Sequence, residues 1–304
     1  MAISRAQLVK ELEPGLNALF GLEYKRYDNQ HAEIYTNESS DRAFEEEVML
    51  SGFANAQVKG EGAGVSYDDA QETFTARYNH ETMALAFAIT EEAIEDNLYD
   101  RISSRYTKAL ARSMSNAKQV KAAAPLNNGL PAVDGFDSGD GVSLFNTAHT
   151  TVSGTNVSNT LTTQADLNET SLEQAMIDIS AMTDERGLRI AARALKMIVP
   201  PANQFNAERL MKSQGRTATA DNDINAIASM GMLPQGYRIN NFLTDTDSFY
   251  IITDVPNGMK MFTRTPLTTA MEGDFDTGNV RYKARERYSF GVSDYRGIFG
   301  VEGA

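Results

Sequence analysis

Residues 90–125 read TEEAIEDNLYDRISSRYTKALARSMSNAKQVKAAAP, and this stretch carries the clearest periodic signal in the chain. Thr90 is suited to cap a helix, and Pro125 is expected to stop it. Between them the sequence predicts one long helix of about 30 residues, which at about 1.5 Å per residue would be about 45 Å long. Apolar side chains recur at every fourth position of its expected buried face, namely Ile94, Leu98, Ile102, Tyr106, Leu110 and Met114.

The segment before this helix predicts an extended hairpin. Residues 59–64, Lys-Gly-Glu-Gly-Ala-Gly, favour a flexible joint because glycine tolerates many backbone conformations. Strands are predicted at 65–67 and 73–89, with a turn at 68–70. Such a hairpin has little apolar surface near its tip, so we expect it to need contacts outside its own subunit. The alternating apolar positions of the second strand are Met83, Leu85, Phe87 and Ile89.

The N-terminal region predicts two short elements. Residues 4–20 have leucines at helical spacing but contain Pro14 and Gly15, so we expect a short helix or an arm that is broken there. A second short helix is expected after Ser40 or Asp41, either of which can cap it. Its first turns would contain Glu45, Glu46 and Glu47 as a solvated acidic face, and its apolar face would be Phe44, Val48 and Phe53.

The middle of the chain predicts loops followed by a helix. Residues 127–163 are rich in Gly, Asn, Ser and Thr, which favours loops with brief strands. A helix is then predicted to begin at a capping box of Thr170 and Glu173 and to stop before Gly187. Its apolar face would be Leu172, Ala175, Met176, Ile179 and Met182.

The remainder of the chain predicts mostly strands. They are expected at 194–199, 237–243, 248–254 and 280–301, and a helix is expected from Pro200-Pro201 to near Gly215. Separate helices and strands of this kind predict the α+β fold class.

Composition limits the classes of protein that the chain can belong to. Its 304 residues suggest one large domain or two closely joined domains. Cysteine is absent, which excludes disulfides, thiolate nucleophiles and cysteine-based metal sites. The formal net charge of -13 opposes tight binding to a phosphate backbone. The longest apolar stretch, residues 83–89, is far shorter than the roughly 18 residues of a membrane-spanning helix, and without an apolar signal segment we expect synthesis in the cytosol.

The sequence predicts no catalytic, cofactor-binding or metal-binding residues. Its histidines, His31, His80 and His149, share no ligand spacing and are expected in surface or packing roles. Residues 274–278 begin like a calcium loop but lack its later ligands, which favours a hairpin turn. The exposed basic face of the long helix is expected to form salt bridges between subunits rather than to bind DNA, and consists of Arg101, Arg105, Lys108 and Arg112.

The order of these parts resembles the Hong Kong 97 type major capsid protein of tailed bacteriophages. The resemblance rests on an N-terminal arm, an extended hairpin, a long helix, a mixed second domain and long terminal strands. Four sequence stretches strengthen the resemblance: LFNTAH at 144–149, LKMIVPP at 195–201, FYIITD at 249–254 and ARERYSFGV at 284–292. Each is a weak pattern alone, and their order and spacing make the match.

The resemblance implies a division of the chain into the parts of a phage coat subunit. Residues 1–51 would form the N-terminal arm with a short helix, and residues 52–88 the extended hairpin loop that lies across another subunit. The peripheral domain would contain the long spine helix and the terminal strands, residues 89–124 and 265–304. Residues 125–264 would form the axial domain around the axis of a hexamer or pentamer.

The resemblance also implies function and partners. The subunit would self-assemble through hexamers and pentamers into the icosahedral head that encloses a double-stranded DNA genome, in the cytoplasm of the bacterial host. Implied partners are a portal protein, a scaffolding protein and a decoration or cementing protein, with weak non-specific contact to packaged DNA and no membrane. Some members of the family join a hairpin lysine to an asparagine of a neighbour. We expect no such bond here, because Lys59 would lie at the base of the hairpin.

Two other functions remain open from the sequence. An encapsulin-type nanocompartment shell shares this fold and encloses a cargo enzyme instead of a genome, and neighbouring genes would separate the two. An acidic hydrolase would need a cluster of catalytic groups, and none is recognisable in the sequence.

Overall fold

The computed structural model of the protein describes residues 5–90, 92, 99–130, 135–216, 223–274 and 278–304. The helices in these ranges are α1 (Arg5–Arg26), α2 (Tyr99–Asn128), α3 (Glu169–Ala181), α4 (Gln204–Lys212) and α5 (Ala226–Met230). The strands are β1 (Thr36–Ser39), β2 (Phe44–Leu50), β3 (Glu72–Asn79), β4 (Glu81–Ile89), β5 (His149–Thr150), β6 (Asn156–Val157), β7 (Ala194–Val199), β8 (Tyr237–Ile239), β9 (Phe249–Thr253), β10 (Met259–Gly273), β11 (Val280–Val292) and β12 (Ile298–Val301). The predicted α+β class is confirmed.

The first sheet is built around the long β10–β11 hairpin. Its strand order is β1-β10-β11-β4, in which β1 runs parallel to β10, and β4 runs antiparallel to β11. One face of this sheet packs against α1 and α2 through an apolar cluster that includes Leu16, Leu110 and Tyr282. β10 and β11 pair as an antiparallel hairpin on either side of the predicted turn at residues 274–278, and Gly278 N–H donates to the carbonyl of Asp274. Residues 275–277 of that turn lie outside the described residues.

The second sheet has the order β12-β9-β7-β8 and lies in the main apolar core. Its predicted strands at 194–199 and 248–254 are confirmed by β7 and β9, whereas the strand predicted at 237–243 is shorter. The stretch predicted as one strand at 280–301 is divided by a 3-10 helix, Tyr295–Gly297. Because β12 pairs with β9, the end of the chain joins this second sheet.

The long helix α2 continues past Pro125 to Asn128, so the prediction that Pro125 stops it is wrong. The last turn is stabilised from outside the helix, because the hydroxyl of Tyr35 donates to the carbonyl of Ala122 and that of Tyr250 donates to the carbonyl of Leu126. The predicted start after Thr90 lies mostly outside the described residues. None of the helices in the described ranges is long and apolar enough to cross a membrane.

The predicted buried face of α2 is only partly correct. Leu110 and Met114 are buried, but Tyr106 is 52% exposed. Four residues of a helix with about 3.6 residues per turn rotate by about 400°, so a strict four-residue repeat drifts by about 40° at each step. In the two turns before Leu110, the residues on the buried face of the helix are Ser103 and Thr107. The side chains of Ile94, Leu98 and Ile102 lie outside the described residues.

Helix α1 runs through Pro14 without a break, so the expected interruption is wrong. A proline inside a helix costs about 3 kcal/mol, and burial of apolar side chains offsets that cost. Leu16 and Phe20 are buried against α2 and the first sheet, which fixes the part of α1 that follows Pro14. The predicted helical positions Leu8 and Leu12 have side chains outside the described residues.

The second predicted helix of the N-terminal region is a strand. Residues 44–50 form β2, which pairs with β3 in register Phe44↔Asn79. The hairpin therefore has β2 and β3 as its two arms, and residues 65–67 form no strand. The strand predicted at 73–89 is present but changes partner at His80, because β3 pairs with β2 and β4 pairs with β11.

Helix α3 has the predicted apolar face but a different cap. Asn168, and not Thr170, is the N-cap, and its side chain accepts a hydrogen bond from the backbone of Ser171. The Ser171 hydroxyl faces the backbone N–H of Asn168 at 3.0 Å, which completes the capping box. The predicted apolar face of Leu172, Ala175, Met176, Ile179 and Met182 is buried.

Candidate assembly surfaces

An extended loop, residues 51–71, connects the two arms of the hairpin. Every residue from 53 to 71 is exposed. Its internal hydrogen bonds include one from the N–H of Ala54 to Oδ2 of Asp68 at 2.7 Å and one across the glycine turn from Ala63 to Gly60 at 3.1 Å. The apolar side chains exposed to solvent are Phe53 (61%), Val58 (101%), Val65 (64%) and Tyr67 (93%). Several exposed apolar side chains on one loop are typical of an interaction surface.

The base of the extended loop is closed. The N–H of Ser51 donates to the carbonyl of Gln71 at 2.8 Å, and the N–H of Gln71 donates to the Ser51 hydroxyl at 2.9 Å. The guanidinium of Arg186 donates to the backbone carbonyl of Asp69 and lies 3.9 Å from the carboxylate of Asp68. The loop is therefore a projection from a fixed base.

A polar cluster fastens the hairpin to the first sheet, and we call it the hairpin seat: Glu47, Tyr78, Lys260 and Ser293. Buried Lys260 lies between two carboxylates, with its Nζ 2.5 Å from Glu47 and 3.1 Å from Glu38. Burial opposes the charge of Lys260, but hydrogen bonds to Glu47 and Glu38 raise its pKa above the ordinary value. The hydroxyl of Ser293 contacts both Glu47 and Tyr78. The sequence showed no pattern that could identify Lys260.

Close backbone approach also fixes the hairpin. A Cβ atom at Gly291 would lie 2.6 Å from the ring of Tyr78, and one at Gly139 would lie 2.8 Å from the ring of Phe74. Contacts this short do not occur between real side chains, so both positions require glycine for the hairpin to pack as it does.

The acidic run Glu45–Glu47 is part of this attachment, so its interpretation as a solvated helix face is wrong. Because neighbouring side chains of a strand point to opposite faces, Glu46 points away from the face that Glu45 and Glu47 share. Glu45 accepts a hydrogen bond from Ser40 at 2.6 Å, whereas Glu46 forms an exposed pair with Arg77 at 3.7 Å. Glu47 joins the hairpin seat.

Lys59 lies at the distal turn of the extended loop and not at its base. The arms of the hairpin end at Leu50 and Glu72, so residues 59–64 are at the tip. We expected that Lys59 could not reach a neighbouring subunit because it would lie at the hairpin base. Its position at the tip removes that reason.

A buried arginine stabilises the loop from which Arg186 extends. Arg296 donates from Nε to the carbonyl of Thr183 at 2.9 Å, and its guanidinium contacts Glu185 and Asp294. Burial raises the pKa of Asp294, and the charge of Arg296 opposes that rise. These contacts link the second sheet to the base of the extended loop.

The histidines have packing roles. His31 is buried against Gln119, His80 lies between the hydroxyls of Ser289 and Ser40, and His149 contacts Asp140 at 2.6 Å. They lie in separate parts of the fold. The described residues contain no group of three or more histidine or acidic side chains that could hold a metal ion.

The basic face predicted on α2 is exposed where the structure describes it. Arg105, Lys108 and Arg112 are exposed, and no carboxylate in the described ranges forms an ion pair with them. The side chain of Arg101 lies outside the described residues. Salt bridging between subunits by this face stays a prediction.

Comparison with known proteins identifies the family and relates the fold to solved structures. A family model described as phage capsid protein matches residues 44–301. Among solved structures, the chain is similar to the capsid of the empty GTA particle, with a TM-score of 0.57 and 15% identity over 91% of each chain. It is also similar to the capsid of Myoviridae phage XM1, with a TM-score of 0.55 and 12% identity over 89% of each chain.

A structure of Mycobacterium phage Adephagia gives a TM-score of 0.53 at 11% identity over 91% of each chain. At these identities the likeness concerns the fold, and it confirms the Hong Kong 97 type of architecture that the sequence predicts. No curated protein matches the chain in sequence.

Proposed function

The chain belongs to the phage capsid protein family, and from this premise we propose that its hexamers and pentamers tile an icosahedral head around a double-stranded DNA genome. Its role is structural and not enzymatic. The observation that carries the proposal is the extended loop, which exposes Phe53, Val58, Val65 and Tyr67 and has no apolar cover from its own chain among the described residues. In a shell these side chains would be buried against neighbouring subunits.

The family match favours a phage head over a nanocompartment with a cargo enzyme. Fold alone does not separate two kinds of shell, because one architecture serves several functions. The family model covers residues 44–301, which include the extended loop, the second sheet and every strand of the first sheet except β1.

We propose a division into domains that follows the two sheets. For residues 1–88 this division differs from the one that the resemblance implied. The arm is residues 1–43 and the hairpin with its extended loop is residues 44–79, because β2 pairs with β3 in the hairpin whereas β4 belongs to the first sheet. The peripheral domain contains α2, the β10–β11 hairpin and β4, and the axial domain contains the second sheet. Because β10 begins at Met259 and β12 pairs with β9, we place the boundary at 258/259 and assign residues 298–301 to the axial domain.

The proposal includes the other components of a phage head. A portal protein would occupy one vertex, a separate scaffolding protein would guide assembly in the host cytoplasm, and a decoration or cementing protein would stabilise the finished shell. Contact with packaged DNA would be weak, since the net charge of -13 disfavours tight binding to phosphates.

The test is removal of the loop without disturbance of its base. Residues 55–66 are replaced by a short Gly-Ser linker, and Phe53 and Tyr67 are changed to serine. The 2.7 Å hydrogen bond from Ala54 to Asp68 allows the deletion because the chain already meets there, and Asp68 and Asp69 keep their contacts with Arg186. We expect a subunit with unchanged circular dichroism and thermal midpoint that no longer assembles in sedimentation velocity. Normal shell yield from this variant would overturn the proposed role of the loop.

A further inference from the structure

The turn between β9 and β10 contains an asparagine that is followed directly by a glycine, Asn257–Gly258. Asn257 is exposed and has a φ of 60°, a left-handed backbone conformation that asparagine adopts more readily than most residues. Its side chain forms no hydrogen bond in the described part of the chain, and the backbone N–H of Gly258 donates to no acceptor there. The turn is therefore open, and the two groups are free to approach each other.

An asparagine amide next to a glycine N–H can react with it. The backbone nitrogen of Gly258 would form a bond to Cγ of Asn257, and the side-chain nitrogen would leave as ammonia together with the proton of that N–H. The product is a five-membered succinimide, which water opens at either carbonyl to give aspartate or isoaspartate. Glycine favours the attack because it has no side chain to obstruct the nitrogen. The reaction adds one negative charge and requires no reagent other than water.

A second Asn–Gly pair, Asn128–Gly129, is restrained by the fold. Asn128 is the last residue of α2, and its carbonyl accepts a hydrogen bond from Gly135 at 2.8 Å. Gly129 is buried, and its carbonyl accepts a hydrogen bond from Phe145 at 2.9 Å. A Cβ atom at Gly129 would lie 2.8 Å from the side chain of Leu144, so the backbone here is packed tightly against the core. The two pairs thus share their chemistry and differ in their freedom to move.

The turn at Asn257 lies where the chain passes between the two sheets. Residues 254–258 lead from β9 to β10, and residues 293–297 lead from β11 to β12. These two connections meet in a contact that we call the glycine crossing: Gly258, Ser293 and Gly297. A Cβ atom at Gly258 would lie 2.8 Å from Cα of Gly297, and the N–H of Ser293 donates to the carbonyl of Gly258 at 3.0 Å.

Backbone contacts as close as those of the glycine crossing leave no room for additional atoms. In isoaspartate the main chain continues through the former side chain, which adds one methylene group to the backbone directly before Gly258. Gly258 would then shift against Gly297 and away from its hydrogen bond with Ser293. Ordinary aspartate keeps the length of the backbone, so it should leave the crossing intact.

We propose that Asn257 is a site of spontaneous deamidation, and that its isoaspartate product loosens the glycine crossing between the two sheets. The site is carried by the open turn at Asn257 and by the contrast with the restrained pair at Asn128. The effect on the fold is carried by the close approach of Gly258 to Gly297. The inference goes beyond the proposed function, because neither the reaction nor the crossing depends on assembly.

The experiment compares the two Asn–Gly pairs within one full-length chain. The protein is held in warm, mildly alkaline buffer, and the peptides that contain Asn257 and Asn128 are followed by mass spectrometry, with isoaspartate distinguished from aspartate by fragmentation. In the folded chain we expect conversion at Asn257 to be at least about tenfold faster than at Asn128. In concentrated urea the two rates should become similar, because the fold no longer restrains Asn128. The variant Asn257→Gly, which tolerates positive φ, should show no conversion at this turn.

Hydrogen exchange of the Ser293 amide measures the state of the glycine crossing. Deamidated chains are enriched by ion exchange, since they carry one additional negative charge. We expect the Ser293 amide to exchange about tenfold or more faster in the fraction of chains that contains isoaspartate, because its hydrogen bond to Gly258 is lost. The matched control is Asn257→Asp, which has the charge of the product without the longer backbone, and its Ser293 amide should exchange as in the wild type.

Three results would overturn the inference. Equal conversion at Asn257 and Asn128 in the folded chain would show that the fold does not select the site. A rate at Asn257 that is far lower in the folded chain than in urea would show that the turn is closed to the reaction. Conversion at Asn257 without faster exchange at Ser293 would remove the effect on the crossing alone. Failure of the wild-type chain to assemble would bear on the proposed function and not on this site, because all of these measurements are made on the subunit.

Discussion

The ammonium of Lys260 lies 2.5 Å from Oε1 of Glu47, and this contact joins the longest strand, β10, to the first arm of the hairpin, β2. The hairpin has few apolar contacts with its own subunit: Ala76, Tyr78 and Phe262 form a small cluster of their own, and Phe74 lies against the main core. Its orientation is therefore set largely by the polar hairpin seat.

Loss of the Glu47 carboxylate should destabilise the subunit. We expect Glu47→Gln to lower the free energy of unfolding by about 1–3 kcal/mol, because buried Lys260 then retains only Glu38 as a charged partner. Glu46→Gln is the matched control, since the exposed pair of Glu46 with Arg77 should contribute less than about 1 kcal/mol. Urea unfolding of both variants measures the difference. Equal midpoints would show that Glu47 does not stabilise the seat.

Two glycine-to-alanine substitutions should change the free energy of unfolding in opposite directions. A Cβ atom at Gly300 would lie 2.5 Å from the buried ring of Phe145, so Gly300→Ala should cost about 1–3 kcal/mol through overpacking. Gly21 lies inside α1 with no neighbouring heavy atom within 4 Å of such a Cβ atom, so Gly21→Ala should stabilise the subunit by about 0.5–1 kcal/mol. The midpoint of thermal unfolding should be lower than that of the wild type for Gly300→Ala and higher for Gly21→Ala. A shift of the same sign in both would contradict the packing.

The rotated face of α2 can be tested with aspartate substitutions. Leu110 is buried, so Leu110→Asp should destabilise the subunit by several kcal/mol, about 3–5, because it buries an unpaired charge. Tyr106→Asp should cost only about 0.5–1.5 kcal/mol, the value of its ring contact with Phe87. Comparable losses at the two positions would mean that the regular four-residue stripe, and not the rotated face, is buried.

Lowering the pH should reduce the free energy of unfolding of the subunit, because His31 is held neutral in the folded state. Burial, and secondly the charge of Lys118, lower the pKa of His31 from 6.5 to about 4. The unfolded chain therefore takes up a proton at higher pH than the folded chain does. Stability from neutral His31 is complete above pH 6.5 and is lost as the pH falls toward 4, by up to about 3 kcal/mol. The variant His31→Asn should show a flatter decline over this interval in urea unfolding. An unchanged slope would exclude His31 as the titrating group.

The sequence predicts best where local pattern and tertiary packing agree. Strand β7 begins and ends where its apolar run does, and the apolar face of α3 is the predicted one. Both elements lie in the main core, where burial of apolar side chains decides the structure.

The sequence misleads where tertiary contacts override a local signal. Pro266 disfavours a strand, yet β10 contains it, because Pro266 lies within an irregularity of the pairing with β11, between Thr265 and Thr268. Three successive glutamates suggest a helix face. In the structure Glu47 lies in strand β2, where it pairs with Lys260, a residue more than two hundred positions away in sequence. Of the assembly surfaces, the presence of an extended loop is predictable from glycines and polarity, but its layout is not. The glycines of residues 59–64 lie at the distal turn and not, as predicted, in a joint at the base. The hairpin seat is not, because it joins residues that are distant in sequence.

The central claim, that this chain is a shell-forming subunit, is tested most directly by electron microscopy. The purified full-length chain is concentrated, with and without a scaffolding protein, and its particles are imaged in negative stain. We expect closed shells or capsomer rings of uniform diameter, because the exposed apolar side chains of the extended loop are then buried against neighbouring copies. Isolated subunits of 33.3 kDa at every concentration, in both conditions, would contradict the account.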